Sequence, residues 1–431
     1  MTTMKRGIAT AIAAGLVFGL AACGSSRGGG SASQDPGKGS IEVWSSDTEG
    51  QGTQVASKAK FEAFAAETGY KVNVTYLTYD MIHEKIVASA AGGNLPDVVY
   101  GLPEYVGEFN RMGILADLTD QWAQWPDRDK VSDAVKEAMS VGDTIIGFPY
   151  ETTVRAYLVH DNILQESGVT VPATWDDVLA VGNKVEQATG NSFFGIAGAG
   201  VRSPQELIVY LAQKGLKIAE IQDDGKFKNT WNDDPAQAAK AAEVFKFYQD
   251  LISSGAADPN SATFGWEETD DRFVTGLTAT YVTGNWLEER EADFSDTMGD
   301  ISVHAIPKPA DGVDATYLEA KPMFVMKDGK NPEGAKELAQ AIASEDWQKA
   351  AYPARSALNT VSTDSKWSRD FSKLVEHGIT FPPVTVSEIT QNMIDSLAKA
   401  LQEQQAPADV ASWLSDAINK SLENSGELSG S

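Results

Sequence analysis

Ile41-Glu42-Val43-Trp44, Val72-Asn73-Val74-Thr75-Tyr76 and Asp97-Val98-Val99-Tyr100 are three short extended runs, and the two stretches between them decide the fold class. The first two runs alternate apolar and polar residues, as half-buried strands do, and the third follows the turn Gly92-Gly93-Asn94-Leu95-Pro96. Between the first two, Val55, Ala59, Phe61, Phe64 and Ala65 recur at helical intervals, and Gly69 stands where a left-handed cap ends a helix. A second helix is expected from Asp80 to Ala91. Strand, helix, strand, helix, strand is the order of a parallel α/β sheet, and ligands of such sheets settle beyond the carboxyl ends of the strands. Those ends carry Asp47 after the first run, Tyr79 and Asp80 after the second, and Tyr100 and Tyr105 after the third, all candidate ligand contacts. Asp80 reads equally well as a helix N-cap.

Downstream, Thr144 to Phe148 and Arg155 to Val159 read as extended around Pro149-Tyr150-Glu151. A second α/β region then opens at Thr174-Trp175-Asp176-Asp177, where Asp177 can reach back to the Thr174 amide as in a capping box. Helices are expected over 204–214 and 235–253, the latter with Asp234 as cap and Pro235 in its first turn. Strands are expected from Thr278 to Val282, closed by Gly284, from Ile301 to Ile306, running into Pro307-Lys308-Pro309, and from Tyr317 to Met326. A helix opens at Asn331-Pro332, the remainder to about Leu422 is expected to be mainly helical, and 423–431 reads as a disordered tail.

Upstream, Lys5 and Arg6 precede an apolar run from Ile8 to Leu20, about a dozen residues, long enough for a signal-peptide core and too short for a span. It ends at Leu20-Ala21-Ala22-Cys23, which resembles the lipobox of bacterial lipoproteins, where cleavage exposes an acylated cysteine. An ordinary secretory signal with a chance cysteine is the competing reading, but the chain's single cysteine stands at the one position lipidation requires. Residues 1–22 are thus expected to be a signal peptide and 23–40 a lipid-carrying cysteine with a flexible linker, rich in Gly and Ser, reaching roughly 20 to 25 Å. Two acyl chains hold such a protein stably at the outer face of the cytoplasmic membrane.

The body that follows, about 390 residues, is too long for one core and suits two lobes. The full chain has a formal net charge of −26, and its leader holds two bases and no acid, so the mature body is more acidic still. Phosphate backbones repel such a surface, which excludes nucleic acid as a partner. With no cysteine beyond Cys23, disulfides cannot form within the body. His83, His160, His304 and His377 lack metal-ligand spacing, and no phosphate-binding glycine loop or nucleophile elbow is present, so neither a metal nor another cofactor is expected.

Gly92-Gly93-Asn94-Leu95-Pro96-Asp97-Val98-Val99, Gly113-Ile114-Leu115 with Leu118, Gly147-Phe148-Pro149-Tyr150-Glu151, Asp161-Asn162 and Gly284-Asn285-Trp286, in that order, resemble family 1 extracellular solute-binding proteins of ABC importers, the group containing maltose-binding proteins. The resemblance covers nearly the whole chain after Ser40. It implies a periplasmic-binding-protein-like fold of type II, two α/β lobes each with a mainly parallel sheet, a sugar in the cleft between them, and delivery to an ABC permease. On that pattern the first lobe comprises 41–152 and 307–345 and the second 153–306 and 346–422, with crossings near Glu151 to Arg155, Ile306 to Asp311 and Asp346 to Arg355. A monomer that binds without turnover is implied.

A sugar offers C–H faces and a rim of hydroxyls, so its site needs aromatic planes and groups that bond pairs of hydroxyls. Trp286 matches the family's Gly-x-Trp position and is expected as the stacking platform, with Asn285 beside it on hydroxyls. Glu151, at the first crossing, is expected as a hydroxyl acceptor, and Trp266, Arg202 and Glu319 follow from family order. Arg155 departs from the pattern: it either pairs with an acid across the hinge or marks an anionic ligand. A polyamine or other small cation suits the negative charge, and a secreted glycan-active enzyme, with paired carboxylates, remains a further reading.

Overall fold

The computed structural model describes residues 37–385 and 387–430, so the signal, Cys23 and most of the linker lie outside the described residues. The three opening runs form strands β1 (Ser40–Ser45), β2 (Lys71–Tyr76) and β3 (Val98–Tyr100), joined by helices Gly52–Thr68 and Tyr79–Gly92. Gly69 closes the first helix at φ 83°, as its position predicts. Thr78, not Asp80, caps the second, accepting from the Met81 amide.

Strand β4 (Gly147–Thr153) leaves this lobe and β5 (Ala156–His160) enters the next, where it joins β6 (Ser192–Gly195), β7 (Thr278–Thr283) and β8 (Ile301–His304). Strand β9 (Glu319–Val325) returns. The sheets run β2-β1-β3-β9-β4 and β8-β5-β7-β6. Each is mainly parallel, as expected, with one reversed strand: β9 lies antiparallel to both β3 and β4, and β5 lies antiparallel to both β7 and β8. The antiparallel strands are those supplied by chain passing between lobes, which enters each sheet from the opposite end. Pro322 has no amide hydrogen to give, and the β9–β4 ladder slips in register between Lys321 and Pro322.

Alternation assigns each strand's side chains to opposite faces. In the first lobe Ile41, Val43, Val98, Tyr100 and Tyr150 join one cluster, while Val99 and Phe324 face another. In the second, Tyr157 and Val159 face the helices 175–189 and 235–253, and Ala156 and Leu158 face the other side. The expected capping box is present at Thr174 and Asp177, and the Asp234 carboxylate accepts from the Ala236 amide.

Four expectations change. Ile306, Ala315 and Tyr317 pack in the second lobe's cluster, and Leu318 and Ala320 fall on opposite sides of the divide. The Pro307-Lys308-Pro309 connector docks on Thr174 of the second lobe instead of crossing. Trp347, Tyr352 and Val361 pack with the first lobe, and Trp367 with the second. On this packing we propose crossings at 151–153, at Glu319 and between 361 and 367. Between Tyr352 and Thr385 the longest helix is Lys366–Ser372, because Pro353, Pro382 and Pro383 and the run 359–365, polar but for Val361, interrupt helical pairing; regular helices resume at Ser387–Leu401 and Pro407–Asn424. Finally, the tail is held: the Phe227 amide donates to the Glu427 carbonyl at 2.9 Å, and the Ser429 hydroxyl reaches Asp224 at 3.0 Å.

Inside the second lobe, Glu206 is buried, Oε1 has no hydrogen-bond partner, and burial raises its carboxyl to about 8. A folded-state value above the usual one means that the native protein holds a proton the unfolded chain releases, so this group's contribution to stability declines as pH rises from about 4.5 to about 8. Urea unfolding of the parent and Glu206→Gln should show the parent losing up to ~1.4 kcal/mol per pH unit relative to the variant across that window, with parallel profiles outside it.

Candidate functional site

Two of the passes between the lobes, β4 and β9, lie side by side as a ladder, and their polar residues form the floor of a cleft. Glu151 on β4 and Lys321 on β9 are register partners, both buried, with Nζ and Oε1 2.7 Å apart. Burial pushes the Glu151 carboxyl up, but Lys321 and Arg355 outweigh it and hold the group below its ordinary value. Glu319 is fully buried and accepts from Arg155 Nη2 at 3.0 Å; burial opposes its ionisation, yet Arg155, Lys321 and Arg202 bring it down to about 2. Gln205 links this group to the first lobe by donating to Glu104 at 2.6 Å.

The wall from the first lobe is built at the ends of β1 and β2. Asp47 accepts from the Tyr352 hydroxyl at 3.3 Å, and burial together with the charge of Glu151 raises its carboxyl to about 6. The Tyr79 and Tyr150 hydroxyls are 2.9 Å apart.

The opposite wall is the turn after β7 and the start of helix Trp266–Val274. A Cβ on Gly284 would lie 1.8 Å from the Trp286 ring, so only glycine lets the indole fold back over the turn. Asn285 fastens the turn to β4 and to the first-lobe loop after Tyr352, accepting from Thr153 at 2.6 Å and donating to the Ala354 carbonyl at 2.8 Å. Trp286 Nε1 donates to Asp270 at 2.7 Å, and burial raises the Asp270 carboxyl to about 6. Arg202 lies 4.2 Å from the Trp266 ring centre and 4.1 Å from that of Trp286; Arg155 lies 4.8 Å from Trp286 and 5.2 Å from Tyr317. Aromatic rings and guanidinium groups therefore alternate through the site. Across the opening, Glu289 receives hydrogen bonds from the Thr53 hydroxyl and, at 2.6 Å, from Arg355.

The cleft so formed has a volume of about 240 Å3. Of the expected residues, Asp47, Tyr79, Glu151, Arg202, Trp266 and Trp286 line it, and Asp80 lines a neighbouring depression that shares Tyr79 and Trp266. The other five stand behind the wall. Tyr100 packs under Tyr150 at 4.5 Å between ring centres, and the Tyr105 hydroxyl donates to the Tyr79 carbonyl. Arg155 takes the hinge-acid role, paired with Glu319, and Asn285 spends both amide atoms on the hinge. Reading strand ends alone finds the right neighbourhood but not which side chains turn inward.

Lys321, Arg355, Asp270 and Glu289 also line the cleft and were not expected. Lys321 carried a signal: it sits with Glu319 in the run Glu319-Ala320-Lys321-Pro322-Met323-Phe324-Val325, otherwise apolar and wholly buried. Arg355 closes the segment expected for the last crossing, whereas Asp270 and Glu289 belong to acid-rich stretches in which position alone distinguishes nothing. Among the described residues no group of three or more His, Cys, Asp or Glu side chains could hold a metal ion, and no helix is long and apolar enough to cross a membrane.

The family described as bacterial extracellular solute-binding protein matches residues 48–349. The diacetylchitobiose binding protein DasA of Streptomyces coelicolor is 23% identical over 450 residues, covering 97% of this chain and 99% of that protein. The diacetylchitobiose binding protein NgcE of the same organism is 25% identical over 269 residues, covering 59% of this chain and only 56% of that protein. The GacH receptor of Streptomyces glaucescens, solved unliganded and with acarbose, shares the two-lobed fold at a TM-score of 0.78 and 19% identity, over 90% of this chain and 99% of its own.

Gly284→Ala should drive the Trp286 ring off Asp270. The expected outcome is a changed near-ultraviolet circular dichroism spectrum and a melting temperature several degrees lower, consistent with about 1 to 3 kcal/mol for forced overpacking.

Proposed function

The chain belongs to the bacterial extracellular solute-binding proteins, and we propose that its solute is a carbohydrate, a di- or oligosaccharide, captured in the cleft and passed to the membrane permease of an ABC importer. The observation that carries this reading is the composition of the cleft: two tryptophans, Tyr79 and charged groups most of which are already fixed by partners. Aromatic planes receive C–H faces, and paired carboxylates and cations bond hydroxyls without needing a charged ligand. The named ligands of the relatives, diacetylchitobiose and acarbose, are carbohydrates.

We assign solute contact to Asp47, Tyr79, Glu151, Arg202, Trp266 and Trp286 from the expected set, with Lys321 and Glu289 added. Asp80 belongs to the outer depression, while Tyr100, Tyr105, Arg155, Asn285 and Glu319 position the others. Because contacts come from both lobes, sugar favours the form in which they approach each other. Glu151 is committed to Lys321 and Arg355, which suits a hydroxyl acceptor and not a general acid, so the protein releases its solute unchanged. Export as a monomer anchored through acylated Cys23 completes the reading; Cys23→Ser should appear in the culture medium instead of the membrane fraction.

Calorimetry of the purified body against mono- and oligosaccharides and a polyamine tests the solute class. A sugar should bind stoichiometrically without turnover, and Trp286→Ala should cost roughly 2 kcal/mol of affinity. Polyamine binding with no sugar response overturns the reading. Small-angle scattering should show compaction with the bound sugar.

A further inference from the structure

Four basic side chains line the cleft, and three are already neutralised within it: Lys321 by Glu151, Arg355 by Glu289 and Arg290 by Asp271. Arg202 has no ion-pair partner among the described residues, although it is only 8% exposed. Its Nε and Nη1 atoms have no hydrogen-bond partner. The nearest acids are engaged elsewhere, Glu319 with Arg155 and Asp270 with the Trp286 indole. Their charges nonetheless help keep Arg202 protonated against the cost of burial.

The group is also held still. Trp266 and Trp286 lie 4.2 and 4.1 Å from the guanidinium carbon, so the plane of the fork is set by two rings before any solute arrives. A planar fork of N–H donors is matched by a planar oxygen acceptor, whose lone pairs lie in the same plane, far better than by the tetrahedral oxygen of a hydroxyl. A phosphate dianion is disfavoured, because six carboxylates line the cleft against the four cations.

We propose that Arg202 determines specificity in this cleft and selects sugars bearing an sp2 oxygen acceptor on the ring, a uronate carboxylate or an N-acyl carbonyl. This rests on the carbohydrate reading above. The acceptor satisfies the buried donors that a plain sugar leaves unpaired, and it is this difference that discriminates.

The test is calorimetry of the full mature body with cellobiose, cellobiuronic acid and the β-1,4 disaccharide of N-acetylglucosamine. The parent should bind one of the last two at least about tenfold more tightly than cellobiose. That preference should vanish in Arg202→Met and fall sharply in Arg202→Lys, which keeps the charge but loses the planar fork. A uronate preference shrinks as salt is raised and an N-acyl preference does not, which separates the two sources. Equal affinity for all three sugars overturns the inference and leaves the carbohydrate reading standing, as does a preference retained by a folded variant. If Arg202→Met does not fold, an undiminished preference in Arg202→Lys overturns it alone. Binding of none of the three overturns the inference, and the carbohydrate reading then stands or falls on the wider panel of mono- and oligosaccharides.

Discussion

A charge taken out of water must be met by another, and this requirement governs the join between the lobes. Glu151 on β4, Lys321 and Glu319 on β9, and Arg155 in the short link after β4 belong to the hydrophobic cluster of neither lobe, on chain that passes from one core to the other. Removing one partner of such a pair typically costs several kcal/mol, because the survivor stays buried and uncompensated. The Glu151–Lys321 pair therefore fixes which residues of β4 and β9 face each other, and with that the register of the cleft floor.

From that floor the site is assembled by a chain of dependencies. Asn285 ties the turn after β7 to Thr153 and Ala354, Gly284 leaves room for the indole, and Trp286 in turn holds Asp270 and stacks on Arg202. The side chains proposed to face solute are thus oriented in part by Asn285 and Gly284, which stand outside that set. Several residues with the chemistry of ligand contacts, Arg155 and Asn285 above all, are consumed in building the hinge.

This division explains what could be read from the sequence. The alternation of Ile41 to Trp44, the helical spacing up to Gly69 and the Thr174 and Asp234 caps are local signals, and each reappears in the structure. Six of the twelve expected site residues line the cleft: Asp47 and Tyr79 were legible at strand ends, and Glu151, Arg202, Trp266 and Trp286 through the family resemblance. What was missed depends on long-range pairing. Whether Tyr100 faces the cleft or the core, where the chain returns at Glu319, and that Lys321 meets Glu151, 170 positions earlier, follow from long-range strand register. The antiparallel entry of β9 and β5 likewise has no signature in their own residues, since both read simply as buried strands.

The Thr53–Glu289–Arg355 bridge has a kinetic meaning. These three residues line both the cleft and a second depression beside it, so the bridge is the partition between them. Parting the lobes there breaks charge-assisted hydrogen bonds, the strongest of their kind. On the proposed contact set Glu289 belongs to both the solute and this clasp, so loosening the edge where Thr53 and Arg355 hold it would part the lobes and release a solute contact in one movement.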